Sequence, residues 1–342
     1  MTQQNLSYSC PVVSVVIPMY NVEKYIATSL KSVLAQTWQH FEVICVDDGG
    51  SDDTLDIVNS FNDPRIRVVS QKNRGLAGAR NTGIAEARGH YVALLDADDF
   101  WAPEKLEQHV LHLNRNEQVG ISYSASWFVD EDGNSMGIGQ FPKLTDVDAK
   151  HIFCRNPIGN GSAPVIRREL LEEIKTSRWE GSHLRHFWFD ERLRQSEDIE
   201  FWLRVALNTS WTFEGLAEPL TFYRVNAGGL SANLQKQFAS WQFAVQQNTE
   251  GHEEFMQQWQ SLAEAYQYRY LARRAVQSGN AKEAIRLSFK AIRTDYRVVA
   301  EEPQRTFLTC GCALLSVLPQ SLYSKLESWF MHNVQQLNYG NK

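Results

Sequence analysis

Positive charge is what this 342-residue sequence most plainly lacks. Its 34 Lys and Arg are outnumbered by 40 Asp and Glu, for a net charge of −6. A nucleic-acid binder needs a basic face to neutralise phosphates, so nucleic acid is excluded as a partner. Cysteine is scarce as well: Cys10, Cys45, Cys154, Cys310 and Cys312 make an odd, scattered set. That excludes a disulfide framework and points to reduced thiols in a cytoplasmic setting. Cys310-Gly-Cys312 has no second pair and no histidines at zinc spacing. Long apolar runs are missing too. The longest, Phe307 to Leu318, falls short of the ~20 residues that cross a bilayer. Met1 to Ser9 is too polar for a signal peptide. No G-x-G-x-x-G follows the first apolar run, and no G-x-x-x-x-G-K-[ST] or G-x-S-x-G occurs. Dinucleotide dehydrogenases, P-loop NTPases and serine hydrolases of the elbow type are therefore disfavoured.

What is present is a chain that can bury a core, 43% hydrophobic and 22% charged. Its length predicts two domains at about 150 residues each. Residues 1–10 read as a disordered tail. Over 11–115 strands and helices alternate. Strands are predicted at Val12–Ile17, Phe41–Val46, Ile66–Val69 and Tyr91–Leu95. The helices between them follow an N-cap at Asn21, cover Thr54–Phe61 and Leu76–Ala87, and start with Pro103 at the first helical position. Such alternation implies an α/β class, a Rossmann-like and mostly parallel sheet with flanking helices. Further on, Ile121–Val129 reads as a strand, Ser196 as the cap of a helix to about Leu207, and Trp211–Phe213 and Leu220–Tyr223 as two short strands. From about Leu234 the chain turns helical. Residues 262–294 resemble one tetratricopeptide-type hairpin broken at Gly279, and a last helical pair over 302–335 breaks at Pro319.

Chemistry concentrates at the predicted strand ends. The first strand ends in Pro18-Met19-Tyr20-Asn21, and the second in Asp47-Asp48-Gly49-Gly50-Ser51-Asp52. The third leads to Asn73-Arg74-Gly75, and the fourth ends in Asp96-Ala97-Asp98-Asp99. In open α/β sheets ligands bind beyond these ends. An aromatic ring, carboxylates and Arg80 on one edge suit a nucleotide whose diphosphate is bridged by a metal ion. Asp96 and Asp98, one residue apart, can share a hard cation such as Mg²⁺ or Mn²⁺. The plain alternative is an acidic turn before the helix at Pro103. Arg80 suits a phosphate, or a structural ion pair with the Asp96–Asp99 cluster. Glu197 and Asp198 fall in the first turn of their helix, where carboxylates also complement the macrodipole.

The segments V-S-V-V-I-P-M-Y-N (13–21), F-E-V-I-C-V-D-D-G-G-S-D-D-T (41–54), N-R-G-L-A-G-A-R-N-T-G (73–83), Y-V-A-L-L-D-A-D-D-F-W (91–101) and Q-S-E-D-I-E-F-W-L-R (195–204) resemble glycosyltransferase family 2. The resemblance spans about residues 11–232. It implies a GT-A fold with a nucleotide-binding half at 11–115 and an acceptor half at 116–232. A helical region then fills 233–342. It also implies a nucleotide-sugar donor, a divalent cation (Mn²⁺ or Mg²⁺), and non-processive transfer with inversion to a saccharide or glycolipid. By position, Pro18, Tyr20 and Asn21 would line the nucleoside pocket. Asp48, or Asp47 in its place, would accept from the base, uracil for a UDP-sugar. Asn73, Arg80, Asp96, Ala97 and Arg224 would reach the donor, and Asp98 with Asp96 would hold the metal. Asp198 would be the general base, with Glu197 orienting the site.

The sequence departs from the family pattern in two places. An extra Gly follows Asp48 (Gly49-Gly50), and Asn226 stands where many members carry a histidine in Tyr223-Arg224-Val225-Asn226. No Q-x-x-R-W occurs, against a processive synthase. Other readings stay open: a sugar nucleotidyltransferase on a related sheet, or a non-catalytic scaffold using the helical region. On the acceptor side, Trp179, Trp188, Trp202 and Trp211 are expected mostly in the core, Asn160-Gly161-Ser162 along the acceptor cleft, and His183 and His186 on the surface. Phe307, Leu308, Leu314, Leu315, Leu318 and Leu322, bracketed by Arg305 and Lys325, predict an apolar helical face. It would pack internally, meet a homodimer partner, or touch the inner face of a membrane.

Overall fold

The structure, a computed structural model, describes residues 11–225 and 234–318. The chain divides into two compact units, Met1–Gly229 with Ser240–Gly251, and Leu230–Ala239 with His252–Lys342.

The first unit opens with β1 (Val13–Met19), α1 (Ile26–Leu34), β2 (Phe41–Asp47), α2 (Thr54–Asn59), β3 (Ile66–Ser70), α3 (Gly75–Glu86) and β4 (Tyr91–Leu94). Every residue of β1 is buried, which is why it reads as a nearly continuous apolar run, broken only by Ser14, rather than an alternation. α1 turns Ile26, Leu30 and Val33 into the core. α3 is rich in Ala and Gly because it lies almost on the sheet: a Cβ at Gly83 would come 2.2 Å from Val16 Cγ1. Four strands pair in parallel, in the order β3-β2-β1-β4.

β5 (Phe100–Trp101), α4 (Lys105–Arg115), β6 (Val119–Val129), β7 (Ser135–Gln140), α5 (Ala149–Cys154), β8 (Val165–Arg167), α6 (Arg168–Ile174), β9 (Thr176–Glu180), β10 (His183–Phe187), α7 (Glu197–Asn208) and β11 (Thr212–Arg224) complete it. β8 enters antiparallel between β4 and β6. β11 runs parallel to β6 and antiparallel to β5, and β7 pairs with the far part of β6. Among the described residues this makes a nine-stranded mixed sheet, with β9–β10 a separate hairpin. The parallel order expected from the sequence therefore holds for β3-β2-β1-β4, whereas the other half is mixed: β6 and β11 are parallel, and β8, β7 and β5 pair antiparallel with their neighbours.

Several local expectations change. Asn21 caps no helix; it has φ 52°, and α1 begins at Ile26 after a turn. Pro103 lies two residues ahead of α4. The two short strands predicted at 211–223 are one strand, β11, whose register shifts around Leu216–Thr221 absorb the irregular stretch. Trp188 and Trp202 are buried as expected, but Trp179 stands 69% exposed on the β9–β10 hairpin.

α8 (Leu234–Gln247) contributes to both units. Its Trp241 stacks on Phe153 in the first. In the second unit, α9 (Glu253–Gln277) and α10 (Ala281–Thr294) meet around Gly279, where φ is +71°. Asn280 caps α10 through the Glu283 N–H. Leu271, Ala272, Ala275, Ala284, Leu287 and Ala291 form their shared core, small residues that let the helices approach closely. α11 (Arg297–Glu301) and α12 (Pro303–Leu315) follow. α12 leaves Phe307, Leu308, Leu314 and Leu315 exposed. Leu322, Lys325 and the second helix of the predicted pair lie outside the described residues. No described helix is long and apolar enough to cross a membrane.

Candidate active site

The carboxyl ends of β1, β2 and β4 and the start of α3 after β3 gather the predicted residues. Pro18 is buried within β1, and Tyr20 just beyond it is 53% exposed. Asn21 Oδ1 accepts the Ser51 N–H at 2.8 Å, tying the first strand end to the second. Asp47 Oδ1 accepts the N–H groups of Gly49 and Gly50. This closes the turn that carries the extra glycine. Asp48 is buried. Its Oδ1 accepts from Gln71 Nε2 at 2.7 Å and the Arg74 N–H at 2.8 Å, and its Oδ2 accepts the Gly75 N–H at 2.8 Å. A carboxylate on the first N–H groups of α3 is also favoured by the helix macrodipole. Asn73, in the turn that Asp48 holds, is exposed.

The Asp96–Asp99 turn is held on every side. The Asp96 N–H donates to Ser162 Oγ at 2.9 Å, and the Ala97 carbonyl accepts from Ser29 Oγ at 2.6 Å. The Asp98 carbonyl accepts from Arg224 Nε at 2.7 Å. Asp99 is fully buried, accepting from Ser162 Oγ at 2.6 Å and the Arg224 N–H at 2.8 Å. Burial, and then Asp98 and Asp96 beside it, hold the Asp99 carboxyl well above the usual carboxylate range.

Arg80 joins this turn to α7. Its side chain is 2% exposed. Nη2 meets Asp96 Oδ1 at 2.7 Å and Nη1 meets Glu197 Oε1 at 2.8 Å. Its Nε–H has no partner among the described residues. The planar fork of a guanidinium makes two such bonds at once, which an ammonium cannot do with the same geometry. Gly161 lies against this pair: a Cβ there would sit 2.0 Å from Arg80 Nη2 and 2.6 Å from Asp96 Oδ2. The next helical residue, Asn81, accepts the N–H groups of Trp188 and Phe189 on Oδ1 and donates to the Phe189 carbonyl. The segment leading into α7 is thus pinned to α3.

Asp198 is half-buried at the start of α7. Its Oδ1 accepts the Ile199 N–H at 2.8 Å and its Oδ2 accepts from Asn156 Nδ2 at 3.2 Å. Burial raises the Asp198 carboxyl above its ordinary value, although Arg80 pulls the other way. Burial likewise pushes Glu197 up to about 7 against the pull of Arg80. A carboxylate lifted toward neutrality, partly open to solvent and held in place by an amide, is chemically suited to accept a proton.

Asp96, Arg80, Glu197 and Asp198 are therefore brought together, although residues 80 and 197 are 117 positions apart. Of the two readings of Arg80, the ion pair with the acidic cluster is the one present. Arg224 donates to the carbonyls of Asp98, Asp130 and Glu131. Ser196 holds the cap position of α7 but in the left-handed region (φ 61°), with no side-chain cap bond. Asn160-Gly161-Ser162 backs the Asp96–Asp99 turn. Asn226 lies outside the described residues. Sequence reasoning missed Asn156 and Asn81, and it expected Ser162 along the acceptor cleft, whereas Ser162 bonds the Asp96–Asp99 turn. A buried Asn or Ser has no spacing signature, and only the N-G-S loop hinted at one of them.

Residues 14–175 match the family model described as "Glycosyl transferase family 2". The chain is 31% identical over 232 residues to the UDP-Glc:alpha-D-GlcNAc-diphosphoundecaprenol beta-1,3-glucosyltransferase WfaP of Escherichia coli, covering 66% of this chain and 82% of that protein. It is 33% identical over 231 residues to the putative teichuronic acid biosynthesis glycosyltransferase TuaG of Bacillus subtilis, covering 66% and 84%. The chain belongs to glycosyltransferase family 2.

As a family 2 glycosyltransferase it is a transferase enzyme with a GT-A type fold followed by a helical region. Among solved structures, residues 1–349 of S. aureus TarS in complex with UDP-GlcNAc match with a TM-score of 0.54 at 20% identity, over 94% of this chain and 92% of that one. The mannosyltransferase PcManGT of Pyrobaculum calidifontis, in complex with GDP-Man and Mn²⁺, matches with a TM-score of 0.52 at 19% identity, over 90% and 86%. At these identities the likeness is one of fold.

Proposed function

We propose that the enzyme transfers a sugar from a nucleotide-diphosphate sugar, a UDP-sugar, to a hydroxyl of a saccharide or glycolipid acceptor, with inversion. The observation that carries this reading is the Arg80 bridge, which draws the Asp96 turn and the Asp198 helix to one place. The acceptor oxygen attacks the anomeric carbon and Asp198 takes its proton. The new C–O bond forms as the bond from that carbon to the diphosphate oxygen breaks, and the nucleoside diphosphate departs from the opposite face. Tyr20 is open to lie against the base or ribose. Asp48 has three donors already, so a base N–H would share an oxygen with them, whereas Asp47 is only half-buried. Pro18, Asn21, Asn73 and Ala97 complete the donor side by position. In this reading Arg80, Glu197 and Arg224 act by positioning the site.

A divalent cation fits the donor set. Among the described residues no three His, Cys, Asp or Glu side chains are gathered into a cage. A hard ion here would therefore bind through one or two carboxylates plus substrate phosphates. Asp98, half-buried with an all-oxygen side chain, would hold it, with Asp96 supporting from within its ion pair. When bound, the ion offsets the charge of the departing diphosphate. Two relatives are consistent with this setting: WfaP is named for a UDP-Glc donor and a lipid-diphosphate acceptor, and TuaG for teichuronic acid biosynthesis. A cytoplasmic location, peripheral at a membrane's inner face, belongs to the same proposal.

The test is a thermal-shift panel of UDP-, GDP- and dTDP-sugars with and without Mn²⁺, followed by NMR of the product's anomeric centre. A metal-dependent upward shift with a UDP-sugar and an inverted product are expected. No shift with any donor, or a retained configuration, would overturn the reading.

A further inference from the structure

One buried cation in the first unit has no part in the chemistry above. Lys105, at the start of α4, is fully buried where β5, β6 and β11 meet the segment entering β8. Its Nζ donates to the Ala163 carbonyl at 2.8 Å. Thr221 Oγ1 lies at 3.2 Å, His109 Nε2 at 3.3 Å and Ser124 Oγ at 3.4 Å, and the Trp101 ring is 5.2 Å away. None of these partners is a carboxylate. An ammonium so placed is costly, and burial lowers its affinity for a proton well below that of a surface lysine. Methionine or leucine would fill the same space without that cost, so the amine is retained for what it bonds.

Its strongest bond leads to the donor site. Ala163 follows Ser162, whose Oγ holds both the Asp96 N–H and the Asp99 carboxyl. The Ser162 carbonyl accepts from Trp101 Nε1 at 2.9 Å and lies 3.5 Å from Thr221 Oγ1. Thr221 is in turn the second partner of Lys105. Lys105 therefore grips the underside of the loop whose upper side fixes the Asp96–Asp99 turn.

We infer that Lys105 is a positioning residue for the nucleotide-sugar site, holding the Asn160–Ala163 loop so that Ser162 keeps the Asp96–Asp99 turn in register. The inference rests on the donor site assigned above. It predicts an effect confined to the donor. In Lys105→Met the volume stays and the bond to the Ala163 carbonyl is lost, so the turn should relax. The variant should show donor KM and UDP Kd raised about tenfold, with acceptor KM within twofold of native. Lys105→Gln keeps an N–H donor on a side chain one bond shorter, so it should recover part of the donor affinity. A merely structural lysine would instead lower the melting temperature and leave both KM values unchanged in the folded enzyme.

The experiment is UDP calorimetry and two-substrate kinetics on the native chain, Lys105→Met and Lys105→Gln. A folded Met variant with native UDP affinity overturns the inference. Should the Met variant not fold, Ser162→Ala decides. It removes the hydroxyl through which the loop holds the Asp96–Asp99 turn, and an unchanged donor KM in that folded variant refutes the inference. A native enzyme that binds no nucleotide at all would instead refute the donor-site reading beneath it.

Discussion

Replacing Arg80 by Lys tests whether the two halves of the site are held together by one guanidinium. The native side chain is 2% exposed and makes two charge-assisted bonds, 2.7 Å to Asp96 and 2.8 Å to Glu197. A lysine keeps the charge but has no fork, so it can satisfy one carboxylate and leaves the other buried without its partner. A hydrogen bond to a charged group is worth about 1.5–3 kcal/mol. For a unit of this size each kcal/mol moves Tm by about 2–4 °C, so a fall of roughly 3–12 °C is expected. Activity should fall as well, because α7 loses its register on the Asp96 turn. The acid limb of kcat/KM gives the more specific signal. Arg80 lowers the proton affinity of both Glu197 and Asp198. A displaced or weakened cation lets Asp198 rise further, so the limb should move to higher pH. The assays are scanning calorimetry and a pH series of initial rates. An Arg80→Lys enzyme with native Tm, native kcat and an unmoved limb would refute the brace.

Three further outcomes follow from the same geometry. In the native enzyme the acid limb of kcat/KM should lie above the ordinary carboxylate range near 4, because burial raises Asp198 and the base must be ionised to act. A limb at or below 4 in rate–pH data would contradict that. Gly161→Ala places a methyl 2.0 Å from Arg80 Nη2 and should disrupt the ion pair, weakening donor binding at least tenfold by calorimetry. Native affinity would show that the loop yields freely. Asp98→Ala should abolish the Mn²⁺-dependent part of donor affinity, and a metal response equal to native would remove Asp98 from the cation site.

The parallel half of the fold and its acidic strand ends were legible because their information is local. β1, β2 and β4 are short, largely apolar runs that give way to polar residues at Tyr20-Asn21, Asp47-Asp48 and Asp96, and the sheet buries both of their faces. The mixed half was not. β8 is a three-residue strand whose pairing with β4 and β6 depends on long-range contact, and no periodicity can show in three residues. The identities of the acidic site residues were likewise readable, but their bonding was not. Arg80 looks the same in sequence whether it faces a phosphate or Glu197, and that choice is made by α7 arriving from the other half of the unit. Ser196 shows the same limit. Its residue type suits a cap, yet the incoming chain bends it into the left-handed region and takes its hydroxyl off the helix end.

The most direct test of the central claim is single-turnover transfer by Asp198→Asn beside its donor affinity. The side chain keeps its size and can still meet Asn156, but it can no longer accept a proton. A positioned base contributes about 10²–10⁴ in rate. Transfer from a labelled UDP-sugar should therefore fall at least a hundredfold, while the calorimetric Kd for UDP stays within threefold of native. Transfer at the native rate would contradict the account.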